Sequence, residues 1–226
     1  MKLVVFDCDG TLVDSQHMIV AAMEQAFEEF GLRAPGRSDV LSVVGLSLDA
    51  AVGSLVPTAG ARRVEEIAEA YKAAFGMLRR DKAHKEPLYP GIRDTLLALA
   101  QQPDVLLGIA TGKSRRGLAA VLEREGLGDL FVTLQTADTH PSKPHPAMLQ
   151  AAMAEAGAEA HRTVMIGDTT YDISMARDAG ARAIGAGWGY HPPQALVAAG
   201  AHRVVGESLD LAETLMDDLK ALDILS

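Results

Sequence analysis

The chain has 226 residues, of which 48% are hydrophobic and 23% charged, with a mean hydropathy of +0.10. These values exclude an intrinsically disordered protein and fit either one globular domain or one domain with a smaller insert. The chain contains no apolar run long enough to cross a bilayer. A net charge of −9 argues against nucleic acid or an anionic membrane as a partner, because both attract basic surfaces.

The cysteine content and the short apolar stretch at the start of the sequence favour a cytoplasmic location. The single cysteine, Cys8, rules out an intrachain disulfide and fits a reducing compartment. The first apolar stretch stops at Asp7, which is shorter than the apolar region of a signal peptide. The sequence leaves the oligomeric state open.

The first predicted element is a short buried strand from Leu3 to Phe6, because this run is apolar and β-branched. Its end delivers Asp7 and Asp9 into a turn at Gly10. Two carboxylates two residues apart at a strand end indicate a cation site.

The stretch from 15 to 85 shows only helical periodicity, so we expect a helical domain inserted after the first strand. It contains at least three predicted helices. The first ends at Gly31, the second spans Leu48 to Val56, and the third spans Ala61 to Arg80.

After Pro87, helical and strand patterns alternate. The predicted helices are Pro90 to Gln101, Ser114 to Glu125, Pro144 to Ala156, Tyr171 to Ala179 and one at the end of the chain. The predicted strands are Val105 to Ala110, Phe131 to Leu134, Thr163 to Ile166, Ala181 to Ala186 and Arg203 to Val205. This alternation predicts an α/β fold with a doubly wound parallel sheet, formed by residues 1–14 and 86–226, around the insert 15–85.

Polar residues follow several of these strands. Thr111 and Gly112 come after the second strand, and Asp168 comes just after the strand that begins at Thr163. Ligands of such sheets bind at the carboxyl ends of the strands. We therefore expect these residues to meet Asp7 and Asp9 there. Lys143 precedes Pro144, a residue that fits the first turn of a helix.

Four segments carry a family resemblance: DCDGTLVDS at 7–15, TGK at 111–113, SKP at 142–144 and GDTTYD at 167–172. In order and spacing they resemble the haloacid dehalogenase superfamily. The insert resembles the small helical cap of the subgroup that contains phosphoglycolate phosphatases and β-phosphoglucomutases. The resemblance implies a Rossmann-like core and a phosphatase of small phosphorylated metabolites.

The resemblance also implies roles for the acidic residues. Asp7 would be the nucleophile that forms an aspartyl-phosphate, and Asp9 would be the general acid and base. Mg²⁺ would be held by Asp7, Asp168 and the backbone carbonyl of Asp9. Asp172, one helical turn after Asp168, would reach the same cation or orient its waters.

Three further residues would bind the phosphoryl group, and the cap would read the rest of the substrate. Thr111 and Gly112 would donate hydrogen bonds to the phosphoryl oxygens, and Lys143 would add a positive charge. The cap segment 44–48, with Gly45 and Ser47 as contacts, is nearly uncharged. This favours a small leaving group or broad tolerance, and the resemblance favours phosphoglycolate.

Two alternatives remain open. A β-phosphoglucomutase-like isomerase would share the site and the cap, although no basic residue stands near Gly45, where a mutase cap carries an arginine. A receiver-like phosphoacceptor domain would share the acids, threonine and lysine. It would have no helical insert after its first strand.

Overall fold

The computed structural model describes residues 1–80 and 86–224, except for the side chains of 223 and 224. The six strands are β1 (Lys2–Phe6), β2 (Val105–Thr111), β3 (Phe131–Thr136), β4 (Thr163–Gly167), β5 (Arg182–Ala186) and β6 (Arg203–Val205). The helices of the inserted segment are α1 (Gln16–Glu29), α2 (Arg37–Ser42), α3 (Leu48–Leu55) and α4 (Ala61–Arg80). The remaining helices are α5 (Ile92–Ala100), α6 (Arg115–Glu125), α7 (Ala147–Ala156), α8 (Thr170–Asp178), α9 (Pro193–Ala198) and α10 (Leu211–Ile224).

The strands form one parallel sheet in the order β3-β2-β1-β4-β5-β6, which confirms the predicted doubly wound α/β fold. Both faces of β1 are buried. Val4 and Phe6 belong to the apolar cluster on one face, and Leu3 and Val5 to the cluster on the other. This explains why the strand reads as a continuous apolar run rather than an alternating one. The strand order reverses direction next to β1, so the crevice at its carboxyl end is the expected ligand position.

The helical segment has its own apolar cluster, formed mainly where α1 packs on α4. Phe27 in α1 and Ile67 in α4 are buried in it. The chain enters and leaves this segment at adjacent points. The amide of Asp14 donates to the carbonyl of Pro87 over 2.8 Å, and the amide of Tyr89 donates to the carbonyl of Leu12 over 3.0 Å.

The structure differs from the predicted elements in three places. Two short helices, α2 and α9, were not expected. Helix α7 begins at Ala147, because Pro144 lies in a turn in which the amide of His145 donates to the carbonyl of Ser142. The prediction that Pro144 opens a helix, with Lys143 fixed at its start, is therefore wrong. The predicted end of the insert at 85 lies outside the described residues, and the domain division stays a prediction.

None of the helices in the described ranges is long and apolar enough to cross a membrane.

Candidate active site

The carboxyl ends of three neighbouring strands bring the polar site residues together. Asp7 follows β1, Thr111 is the last residue of β2, and Asp168 follows β4. The amide of Asp7 donates to the carbonyl of Ile166 in β4 over 2.9 Å, which extends the sheet pairing into the site. The sequence-based expectation that these residues meet at the carboxyl ends of the strands is confirmed.

The turn after β1 depends on Gly10, whose φ of +85° is in the left-handed region. A Cβ at this position would lie 2.2 Å from Oδ2 of Asp168. Glycine therefore satisfies two requirements here, the backbone conformation and the close approach of the β1 loop to the β4 loop. The turn is closed by the amide of Leu12, which donates to the carbonyl of Cys8 over 2.9 Å.

Lys143 lies between two buried carboxylates. Its Nζ is 2.9 Å from Oδ1 of Asp7 and 2.6 Å from Oδ1 of Asp172, and all three side chains are at most 1% exposed. The contact with Asp172 is a hydrogen bond. Neither oxygen of Asp7 accepts an aligned hydrogen bond from the described residues. Asp7 is thus a buried carboxylate whose charge is partly balanced by Lys143 but whose lone pairs remain available.

Burial raises the pKa of Asp7 to about 6, against the opposing effect of Lys143 and with a further increase from the charge of Asp172. Burial likewise raises the pKa of Asp168 well above its usual value, and the charges of Asp7 and Asp172 add to this effect. Burial alone would lower the pKa of Lys143, but the two carboxylates it contacts outweigh burial and raise it. The lysine is therefore protonated at neutral pH.

The oxygens of Asp172 and Asp168 are held by the local fold. Oδ2 of Asp172 accepts hydrogen bonds from the amide and the hydroxyl of Thr169. The Thr169 hydroxyl oxygen in turn accepts from the amide of Asp172, which completes a capping box at the start of α8. Oδ1 of Asp168 accepts from the hydroxyl of Thr11 over 2.9 Å, and its Oδ2 accepts from the amide of Tyr190 over 2.9 Å. Each of these two carboxylates is therefore oriented by contacts of its own.

The acidic cluster fits a divalent cation. One oxygen from each of Asp7, Asp168 and Asp172 lies within 4.8 Å of the others, and all three residues are buried. With all three carboxylates ionised, Lys143 supplies one positive charge against three negative ones, so a bound cation would balance the excess and favour the ionised forms. The donor set consists of oxygens only, as Mg²⁺ and Ca²⁺ prefer. The oxygens of Asp7 accept no aligned hydrogen bond from the described residues, whereas both oxygens of Asp168 and both of Asp172 already accept hydrogen bonds.

A cavity of about 780 Å³ lies above this cluster, between the helical segment and the sheet. The lining residues on the sheet side include Asp7, Asp9, Thr111 and Gly112. Lys143 is not among the lining residues. A ligand in the cavity would thus meet Asp7 directly, with Lys143 behind it.

The loop before α3 closes the cavity from the other side. Gly45 and Ser47 both line it, in agreement with their expected position over the site. The amide of Ser47 donates to the hydroxyl of Ser142 over 2.8 Å. A Cβ on Gly112 would lie 2.6 Å from the carbonyl oxygen of Gly45, so the loop and the end of β2 approach closely. Whether Gly45 and Ser47 contact substrate stays a prediction.

The cavity is more polar than the segment 44–48 suggested. Its lining includes five basic side chains, which come from helices α4 and α6 and the loop before α6: Lys72, Arg79, Arg80, Lys113 and Arg116. Four acidic side chains also line it, namely Asp7, Asp9, Asp49 and Asp138. One of these basic side chains, Arg79, is ion-paired with the buried Glu86 over 3.2 Å.

Sequence reasoning gave no role to Lys113, Glu86 or Ser15. Lys113 contacts Asp9 over 2.7 Å and Glu86 over 2.9 Å, and the hydroxyl of Ser15 donates to Asp9 over 2.6 Å. Lys113 and Ser15 each stand inside a segment that carries the family resemblance, so their position was visible. Glu86 lies 27 residues from Lys113 in the chain, and no spacing pattern indicates their contact.

The fold and the site together define a class. A buried cluster of carboxylates and one lysine at the switch point of a parallel sheet, covered by a helical segment, is the arrangement of a capped α/β hydrolase. Comparison of the sequence with known families then identifies the family. Residues 4–186 match the profile of haloacid dehalogenase-like hydrolases, and the chain belongs to this family.

Similar proteins extend the comparison over most of the chain. A protein of Dickeya dadantii called probable phosphatase IndB is 38% identical over 202 residues, covering 87% of this chain and 86% of its own. A phosphoglycolate phosphatase of Pseudomonas syringae pv. tomato is 32% identical over 230 residues, covering 97% of this chain and 84% of its own. The crystal structure of a hydrolase from Pseudomonas syringae superposes with a TM-score of 0.84 at 26% identity, covering 96% of this chain and 99% of that structure.

Proposed function

We propose that this protein is a Mg²⁺-dependent phosphatase that hydrolyses small phosphate monoesters through an aspartyl-phosphate on Asp7. The observation that carries the proposal is the state of Asp7. It is a buried carboxylate with no aligned hydrogen bond from the described residues, at the surface of a covered cavity and 2.9 Å from Lys143. The similarity to proteins named as phosphatases supports the same reaction.

Asp7 attacks phosphorus in the first half-reaction. An oxygen of its carboxylate forms the new P–O bond while the bond to the leaving oxygen breaks, and Asp9 gives that oxygen a proton. In the second half-reaction water attacks the aspartyl-phosphate, Asp9 takes a proton from the water, and Asp7 is released. Lys143 keeps a positive charge next to Asp7 throughout, which reduces the repulsion between an anionic nucleophile and an anionic substrate.

The phosphoryl oxygens gain charge as the reaction proceeds, and donors at the end of β2 are in position to bind them. Thr111 offers its hydroxyl and Gly112 its backbone amide, and both line the cavity beside Asp7. They form the phosphate-binding set of the proposal together with Lys143, whose positive charge would act on the phosphoryl group from behind Asp7.

Mg²⁺ would be held by Asp7, Asp168 and the backbone carbonyl of Asp9, with Asp172 as a secondary ligand or a support. When bound, the ion supplies the positive charge that the acidic cluster lacks and that the phosphoryl group requires. The hydrogen bonds from Thr11 and Tyr190 orient Asp168 for this role. Lys143 and Thr169 hold Asp172.

The substrate that we favour is phosphoglycolate or a similar small acid phosphate. The relative from Pseudomonas syringae pv. tomato is named for that substrate. Basic side chains in the cavity, such as Arg80 and Arg116, would suit a carboxylate beside the phosphate. Gly45 and Ser47 would contact the leaving group from the cap. The expectations of a cytoplasmic location and of no nucleic-acid partner stay predictions from the sequence.

The test is phosphate release from a panel that contains phosphoglycolate, hexose phosphates, nucleotides, pyridoxal phosphate and pyrophosphate, with Mg²⁺ and with chelator. We expect metal-dependent release over many turnovers, and loss of that release by more than about a thousandfold in Asp7→Asn. Asp129→Asn, which removes an exposed carboxylate, is the matched control and should retain full activity. Release of at most one equivalent of phosphate would instead indicate a receiver-like protein, and interconversion of hexose phosphates without release would indicate a mutase.

A further inference from the structure

Asp9 is held by two hydrogen bonds on the same oxygen. Its Oδ1 accepts from the hydroxyl of Ser15 over 2.6 Å and from Nζ of Lys113 over 2.7 Å. Among the described residues no donor is paired with Oδ2. The carboxyl group therefore has one oxygen committed to the protein and one available to the cavity that Asp9 lines.

Lys113 is in turn held by Glu86. Oε1 of Glu86 accepts a hydrogen bond from Nζ of Lys113 over 2.9 Å, and the Glu86 side chain is 1% exposed. Its Oε2 lies 3.2 Å from Arg79 and 3.5 Å from Arg124. The Nζ of Lys113 also lies 5.2 Å from the ring centre of Phe75. A lysine bound in this way has little rotational freedom.

The contacts form a continuous path from the cap to Asp9. Arg79 belongs to α4 of the helical segment, Glu86 follows that segment, and Lys113 lies in the loop after β2 of the core. Two carboxylates and three basic groups alternate along the network, so each charge has an opposite neighbour. This arrangement holds Asp9 in one orientation for as long as the cap is in place.

We propose that Lys113 and Glu86 are positioning residues for the general acid and base, a role that rests on the function proposed above. Lys113, held by Glu86, fixes Oδ1 of Asp9 and leaves Oδ2 to carry the proton. That proton passes from Oδ2 to the leaving oxygen as the bond between this oxygen and phosphorus breaks. In the second half-reaction a proton of the attacking water returns to Oδ2.

The experiment separates proton delivery from substrate binding by comparing two phosphate esters that differ by one methylene group. The anion of 4-nitrophenol leaves without a proton, whereas 4-nitrobenzyl alcohol requires one. Before the reaction, neither ester carries a net charge outside its phosphate group that Lys113 would bind. The value of kcat/KM is the measure, because it covers the chemistry up to departure of the leaving group and is unaffected by hydrolysis of the aspartyl-phosphate.

We expect Lys113→Met to lower kcat/KM for 4-nitrobenzyl phosphate about 10- to 100-fold, part of the 10²–10⁴ that general acid catalysis contributes, and for 4-nitrophenyl phosphate less than about threefold. Glu86→Gln keeps the shape of the side chain and should change the ratio between the two esters in the same direction, by about 3- to 10-fold. In a Lys113→Met background the same Glu86→Gln substitution should not change the ratio further, because Glu86 acts through Lys113.

Lys2→Met is the matched control, because Lys2 is also a buried lysine with a carboxylate partner, Asp104 at 2.9 Å, but lies at the amino end of β1, at the other end of the strand from Asp7. The ratio of kcat/KM between the two esters in Lys2→Met should equal that of the wild-type protein. Equal losses on both esters in Lys113→Met and Glu86→Gln would overturn the inference, because they would indicate a general structural effect. So would an unchanged ratio with a higher KM for phosphoglycolate, which would make Lys113 a substrate ligand. If the wild-type protein released no phosphate from any compound, the proposed function would fail and this inference with it.

Discussion

Lys143 provides the sharpest test of the site, since it contacts two fully buried carboxylates and has almost no contact with water. Replacement by methionine keeps much of the volume of the side chain but removes the charge. Asp7 and Asp172 then lose their only cation in the described cluster. Removing one partner from a buried ion pair costs about 3–5 kcal/mol, because the remaining charge is left uncompensated.

For a chain of this length, each kcal/mol lowers the melting temperature by about 2–4 °C, so Lys143→Met should lose about 6–20 °C. The assay is thermal unfolding in the presence of chelator, which prevents a divalent cation from replacing the lysine charge. Lys2→Met serves as the control. Its partner Asp104 is 48% exposed and stays hydrated when the lysine charge is removed, so the loss should be smaller than in Lys143→Met.

A second substitution separates charge from packing. The double variant Lys143→Met/Asp172→Asn carries one unpaired carboxylate fewer, so it should be more stable than Lys143→Met alone. A Lys143→Met variant that unfolds at the wild-type temperature would refute the reasoning. A double variant that is less stable than the single one would also refute it, because it would show that packing, and not charge, accounts for the loss.

Two other predictions concern the metal site and its loop. The pKa of Asp7, about 6, is raised above its usual value, so the fold disfavours the charged form of this group in metal-free protein, and this penalty is relieved as pH falls through 6. Because protons compete with the cation, the increase in melting temperature caused by Mg²⁺ should be smaller at pH 5 than at pH 7.5, and equal increases would contradict this. Gly10→Ala should destabilise the protein by at least about 1 kcal/mol more than Gly31→Ala, measured by urea unfolding. Both glycines have positive φ, but only the Gly10 Cβ would meet Asp168, at 2.2 Å, so similar losses would argue against the contact.

Much of the fold could be predicted because the inner strands of its sheet, such as β1 and β4, are buried on both faces. The run from Leu3 to Phe6 is apolar throughout, and it ends where Asp7 begins the turn. Helix α2 shows the limit of this reasoning. It has six residues with one buried side chain, Val40, which is too short for a helical period to be visible. Helix α7 began later than predicted, because a proline fits a turn as well as a first helical turn.

The acidic part of the site could be predicted because each residue follows a strand end. The network around Asp9 could not. Its members stand at 9, 15, 79, 86, 113 and 124, in different elements, and their contacts depend on how the helical segment packs on the sheet. The contacts of Asp172 could be predicted only in part. Its three-residue spacing from Thr169 is a local signal, but its contact with Lys143 spans 29 residues.

The adjacent entry and exit of the helical segment have a consequence for how this chain tolerates change. Hydrogen bonds join Asp14 to Pro87 and Leu12 to Tyr89, so the two ends of the helical segment are held together where it leaves the sheet. For the sheet, the segment is equivalent to one closed loop. The entropy cost of such a loop grows only with the logarithm of its length. Segments of other lengths and folds should therefore be exchangeable at this position while the sheet keeps its register. Under the function proposed above, this would separate substrate choice from the chemistry at the strand ends.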